Sequence, residues 1–159
     1  MMSTHNLYSI TSFCALLLLL IATPCVADKA FEAVITGDQV VPSTISGAYG
    51  TITLILNEEE TEAAYTVIFA GLEGSQTAAH FHNAPSDGNG PIIYDLPMGT
   101  PLAGFWELSP MDAVELNAGR VYVLIYTDLF PDGEIRGNLS LTMVEADQSS
   151  WGGIKALYR

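Results

Sequence analysis

The sequence predicts an all-β fold, a Greek-key-like antiparallel β-sandwich of about eight strands with one short helix. Three observations predict it. From Ala30 onward the apolar residues come in short runs rich in Val, Ile, Thr, Tyr and Phe, separated by Gly, Pro, Asn and Asp. Within the runs the apolar side chains alternate with polar ones, the period of a strand with one buried face. Within the expected domain, helical periodicity is confined to a single segment in the second half of the chain.

Strands are expected at Ala30–Thr36, Tyr49–Leu56, Ala63–Phe69, Thr77–His82, Ile92–Leu96, Leu102–Leu108, Val121–Thr127 and Glu134–Val144. In the second of these, Ile52, Leu54 and Leu56 alternate with Thr51, Thr53 and Ile55. In the third, Tyr65, Val67 and Phe69 alternate with Ala64, Thr66 and Ile68. The acidic connector Asn57–Thr61 between them reads as a solvated hairpin turn. The helix falls within Ser109–Arg120. Ser109 is its cap, Pro110 takes the first helical position, Asp112 lies in the first turn and Gly119 stands just past the end. Joining two strands, it is expected to cover one open end of the sandwich and to expose Asp112 and Glu115.

The ends of the chain read differently. An apolar stretch from Cys14 to Ala22 has signal-peptide length, short of the roughly 20 residues that span a bilayer. Small residues at Cys25 and Ala27 favour cleavage between Ala27 and Asp28; acylation at Cys25 is the alternative. Removing 27 of the 159 residues leaves 132, enough for one domain, here residues 28–144. Both cysteines leave with the signal, so disulfides, thiolate metal sites and cysteine nucleophiles are excluded from the mature chain. All 18 acidic and 5 basic residues remain, and the net charge of -13 disfavours nucleic acid as a partner. The expected location is secreted or periplasmic, without a stable membrane span. Residues 145–159 form a polar linker and a tail in which Trp151, Ile154, Leu157 and Tyr158 are spaced to share one side of a short helix.

Two stretches, AAHFHNAPSDGNGPIIYDL from Ala78 to Leu96 and AGRVYVLIYTDLFPDGEIRGNL from Ala118 to Leu139, carry a resemblance. They resemble the CHRD (chordin-type) domain, in which an A-H-x-H segment followed by N-G-P-[IV] precedes an A-G-x-x-Y-V and F-P-x-G-E-I-R-G segment, with a W-x-L strand and a helix between. Trp106–Leu108 supplies the W-x-L here. The resemblance covers roughly Ala30 to Val144. It implies a secreted, bacterial-type single-domain protein with a sandwich fold, and says little about activity. Many members read Y-V-N-V-H-T where this chain reads Tyr122–Thr127, so Tyr126 replaces a histidine that the family often carries.

His80 and His82 are the candidate site. Two residues apart in a strand, they project from one face about 7 Å apart at Cα and are able to share a cation. Tyr126 and Asp128 are the preferred further ligands, with Asp95 and Glu134 also available and copper or zinc as the metal. The bland alternative is that both histidines bond to backbone or carboxylates and fix the turn at Asn83–Pro85. Arg136, in a strand, is expected to form a structural ion pair with Glu134, Asp95 or Asp128 being alternatives. Ser86–Gly90 lacks the final acidic residue of a calcium loop and reads as a turn. Asn138-Leu139-Ser140 is formally a glycosylation sequon, but it lies within a predicted strand.

No catalytic serine elbow, H-E-x-x-H or phosphate loop occurs in the mature chain. The reading is a non-enzymatic binding or structural module whose most concrete ligand is a metal ion held by the H-x-H strand. A protein-interaction module without metal, or a superoxide-dismutase-like redox protein, are the alternatives. No catalytic residue is expected.

Overall fold

The computed structural model describes residues 28–142. The segment expected to be an export signal and the tail, with Met143 and Val144 of the last predicted strand, lie outside the described residues. Nine strands and one helix follow in order: β1 (Lys29–Thr36), β2 (Tyr49–Leu56), β3 (Glu62–Ala70), β4 (Gln76–Asn83), β5 (Ile92–Asp95), β6 (Leu102–Glu107), α1 (Pro110–Asn117), β7 (Val121–Thr127), β8 (Ile135–Asn138) and β9 (Ser140–Leu141). A 3-10 turn at Gly37–Gln39, not anticipated from the sequence, follows β1.

All strands belong to one antiparallel sheet in the order β5-β4-β7-β8-β1-β2-β3-β6, with β9 beside β1. The sheet folds over so that its two ends nearly meet: the Tyr94 hydroxyl on β5 donates to the Phe105 carbonyl on β6 at 2.9 Å. Strands remote in that order therefore pack face to face. The Tyr65 ring of β3 stands edge-on to Phe81 of β4 at 5.6 Å, and Trp106 of β6 packs against Phe81 at 5.2 Å and Tyr94 at 5.7 Å. These contacts join the two layers that a sandwich requires.

Alternation sets which residues enter this core. In β2 Ile52, Leu54 and Leu56 are buried and Tyr49, Thr51 and Thr53 exposed; in β3 Tyr65, Val67 and Phe69 are buried. Helix α1 forms where expected. The Ser109 and Asp112 side chains each bond the other's backbone N–H, and Gly119 adopts the positive φ of 68° that ends the helix. Leu116 and Ala113 enter the core and close one end. Asp112 and Glu115 are half-buried, not exposed, because Asp112 is engaged in the cap and Glu115 pairs with Arg120.

The last predicted strand is in fact two. Leu139 N–H bonds back to Val121 of β7, and then β9 crosses to pair Leu141 with Phe31 of β1. The strand changes partner because Leu139 is drawn into the core between two outward-facing residues.

Candidate functional site

β7 is buried on both faces, unlike β2 and β3. Val121, Val123 and Ile125 face the main core, while Tyr122 and Leu124 form a second small core with Val40 and Ala84, against which Tyr126 packs. Register then fixes the neighbours. His82 lies opposite Tyr122, His80 opposite Leu124, and Arg136 of β8 opposite Leu124 on the other side. His80, His82, Tyr122, Tyr126 and Arg136 therefore share the outer face of β4, β7 and β8.

His82 is 5 % exposed, and each of its polar atoms is engaged. Its Nδ1 lies 2.9 Å from the Gly90 carbonyl oxygen, which only accepts, so Nδ1 carries the proton. Nε2 then holds a lone pair and accepts from the Tyr126 hydroxyl at 2.8 Å. Gly90 is needed for this contact, since a Cβ there would meet the Asn83 carbonyl oxygen at 1.8 Å. His80 places Nδ1 2.8 Å from Asp95, so the neutral ring leaves its Nε2 free to accept. The two imidazoles stand perpendicular with centroids 5.9 Å apart, and the Tyr126 ring lies 5.4 Å from His80. Burial holds both histidines below the ordinary imidazole value; the Asp95 charge opposes this at His80, and the His80 and Arg136 charges reinforce it at His82. The Tyr126 hydroxyl is pushed up to about 12, mainly by burial, with Tyr122 and Asp132 adding to it.

The His82 ring stacks on Tyr122 at 5.0 Å with 9° between planes, and the Arg136 guanidinium lies 3.6 Å from the centre of the Tyr122 ring. This column closes one wall of a cleft of about 410 Å³ lined by His82, Tyr122, Tyr126, Pro42, Asn89 and Asp132.

Two expected partnerships are not formed. Arg136 and Glu134 do not pair, because each is drawn to a different set of partners, most of them in loops. Fully buried Arg136 donates to the carbonyls of Gly88 at 2.8 Å and Pro85 at 3.3 Å and to the Asn138 side chain at 3.0 Å. Neither Asp95 nor Asp128 is its partner. Buried Glu134 instead accepts from Ser46 Oγ, the Glu73 N–H and Thr127 Oγ1, each at 2.7 Å. Asp128 does not join the histidines: it is exposed at the end of β7 and accepts from the Ser75 N–H at 2.8 Å, fastening the approach to β4. Among the described residues no three His, Cys, Asp or Glu side chains converge to hold a metal ion. Tyr122, the hinge of the column, was not singled out from the sequence, although the alternation of VYVLIYT places it on the face of Tyr126. The Ser86–Gly90 segment is a turn as expected, and its carbonyls hold Arg136 and His82.

A nearly closed antiparallel sheet with a polar and aromatic cluster on its outer face defines an all-β module. The chain belongs to the CHRD domain family, whose model matches residues 31–139. Domains of this family are in general binding or structural modules and typically extracellular. Comparison with curated proteins gives no match, and neither does comparison with solved structures. Among the described residues no helix is long and apolar enough to cross a membrane.

Proposed function

We propose that this chain is an exported binding module without enzyme activity, and that His80, His82 and Tyr126 take one copper or zinc ion. Export rests on the apolar segment ahead of Ala27, with the mature chain starting at Asp28, a domain to Val144 and a tail beyond it.

The observation that carries the metal reading is how the histidines are held. Each Nδ1 is anchored, one on the Asp95 carboxylate and one on the Gly90 carbonyl, so each Nε2 presents its lone pair. That is the outer-shell arrangement that orients metal-ligating histidines. The Tyr126 oxygen, 2.8 Å from His82 Nε2, is at a separation two adjacent ligands of one ion can adopt. Two imidazoles and a phenolate suit copper(II) or zinc better than calcium or magnesium. Coordination would displace the phenol proton, so binding strengthens as pH rises. Three protein ligands leave room for water.

Copper(II) titration of untagged mature protein is expected to raise the melting temperature, by about 2.7 kcal/mol of added stability at 100 times Kd. It should also produce a visible phenolate-to-copper absorption band. Tyr126→Phe should abolish the band, and His80→Ala should weaken binding without unfolding the domain. An unchanged melting temperature with no band would overturn the reading and leave the cluster as a structural network.

A further inference from the structure

On the opposite side of the molecule the outer face of β1, β2, β3 and β6 lies open. Cross-strand register aligns Val34, Thr51 and Ile68 in one row, Glu32, Thr53, Thr66 and Ala103 in the next, and Ala30, Ile55, Ala64 and Phe105 in a third. Val34, Tyr49, Ile68 and Phe105 are each more than half exposed. In a chain of net charge -13 this face carries only Glu32, Glu62 and Glu107, and no cation. A hollow of about 640 Å³ opens on it between Val34, Thr51, Thr53, Ser140, Leu141 and Thr142. Exposed Val34, Tyr49, Ile68 and Phe105 on neighbouring strands give this face enough apolar surface to take a docked segment.

We infer that the chain's own segment 143–159 docks on this face. The polypeptide leaves the described domain at its margin, where Thr142 N–H bonds the Ala30 carbonyl at 2.7 Å and Thr142 itself lines the hollow. The eight residues from Met143 to Ser150 reach about 26 Å when extended, and the four strands span about 15 Å. Trp151 can therefore reach across the width of the face. The end of the chain matches that face in chemistry: Trp151, Ile154, Leu157 and Tyr158 supply apolar surface, and Lys155 and Arg159, two of only five basic residues, answer the three glutamates. A second copy meeting face to face would instead set glutamates against glutamates between two chains of the same large negative charge.

Trp151 fluorescence tests this, isolated as the difference between the mature protein and its Trp151→Phe variant. Docking predicts blue-shifted emission and weak acrylamide quenching, unchanged from micromolar to nanomolar protein. Ile68→Lys, and independently Thr66→Lys, both at solvated strand positions, should raise the quenching constant several-fold while leaving the far-ultraviolet circular dichroism unchanged. Water-like emission in the intact protein would overturn the proposal. So would protection lost on dilution, which would mean exchange between copies, or protection unaffected by both lysine variants, which would place the tail elsewhere.

Discussion

Glu134→Ala is expected to destabilise the domain by about 2–4 kcal/mol, read as a lower urea midpoint with an unchanged slope. The carboxylate is fully buried and ties three segments that are distant in sequence: Ser46 before β2, Glu73 between β3 and β4, and Thr127 at the end of β7. Removing it leaves three donors without this acceptor, the Thr127 hydroxyl in a buried setting and the Ser46 hydroxyl and Glu73 N–H in partly buried ones, at about 1–3 kcal/mol for a donor that water does not reach. Burial acting alone would raise the Glu134 pKa. The bonds from Glu73, Thr127 and Ser46, with a smaller contribution from the neighbouring Gly74 N–H, outweigh it and hold the carboxyl below its ordinary value. Because the folded-state pKa lies below the unfolded one, the stabilisation is complete above the unfolded value of 4.5 and fades as pH falls through the folded value. Midpoints measured from pH ~7 down to ~3 should fall less steeply in Glu134→Gln than in the native protein. Equal slopes would show that other carboxylates govern the acid response.

The fold was legible in the layer of the sandwich that has a wet side. Where that holds, as in β2 and β3, the period-two pattern gives the buried set directly: Ile52, Leu54, Leu56, Tyr65, Val67 and Phe69. Helix α1 was legible from its own local chemistry, a capping serine, a leading proline and a closing glycine. The break at Leu139 was not, since nothing in Gly137-Asn138-Leu139-Ser140 announces a change of strand partner.

The site was half legible for a related reason. H-x-H spacing predicts that His80 and His82 share a face, and the register brings Tyr126 to His82. What holds the imidazoles and the guanidinium is mostly backbone carbonyl: Gly90 for His82, Gly88 and Pro85 for Arg136. Carbonyls are present at every residue, so their direction depends on the folded loop and leaves no compositional trace. Charge matching led to the Arg136–Glu134 expectation, and it failed because each group found most of its partners in loops; the expected meeting of Asp128 with the histidines failed because Asp128 bonds the Ser75 N–H.

Arg136→Met is expected to change stability and metal affinity in opposite directions. Arg136 is a fully buried cation with no carboxylate among its hydrogen-bond partners, its Nε without a partner and its plane stacked on Tyr122. Burial lowers its pKa, with Tyr122 and Asp87 opposing the shift. Methionine fills similar volume but leaves the Gly88 and Pro85 carbonyls unbonded and removes the cation–π contact, a loss of about 2–4 kcal/mol. Lysine is expected to rescue only part of this, because an ammonium cannot both stack on the ring and reach the carbonyls as a planar fork does. The guanidinium also acts on the site through charge. It depresses proton binding at His82, and it must oppose a divalent ion at the same imidazole for the same reason. Removing that charge should therefore tighten copper binding to the folded variant by a factor on the order of ten. Calorimetric titration below the variant's melting temperature measures it. A stability loss with unchanged affinity would confine Arg136 to holding the Pro85–Asn89 turn, and weaker binding would mean that the Arg136–Tyr122 stack is what keeps His82 in place.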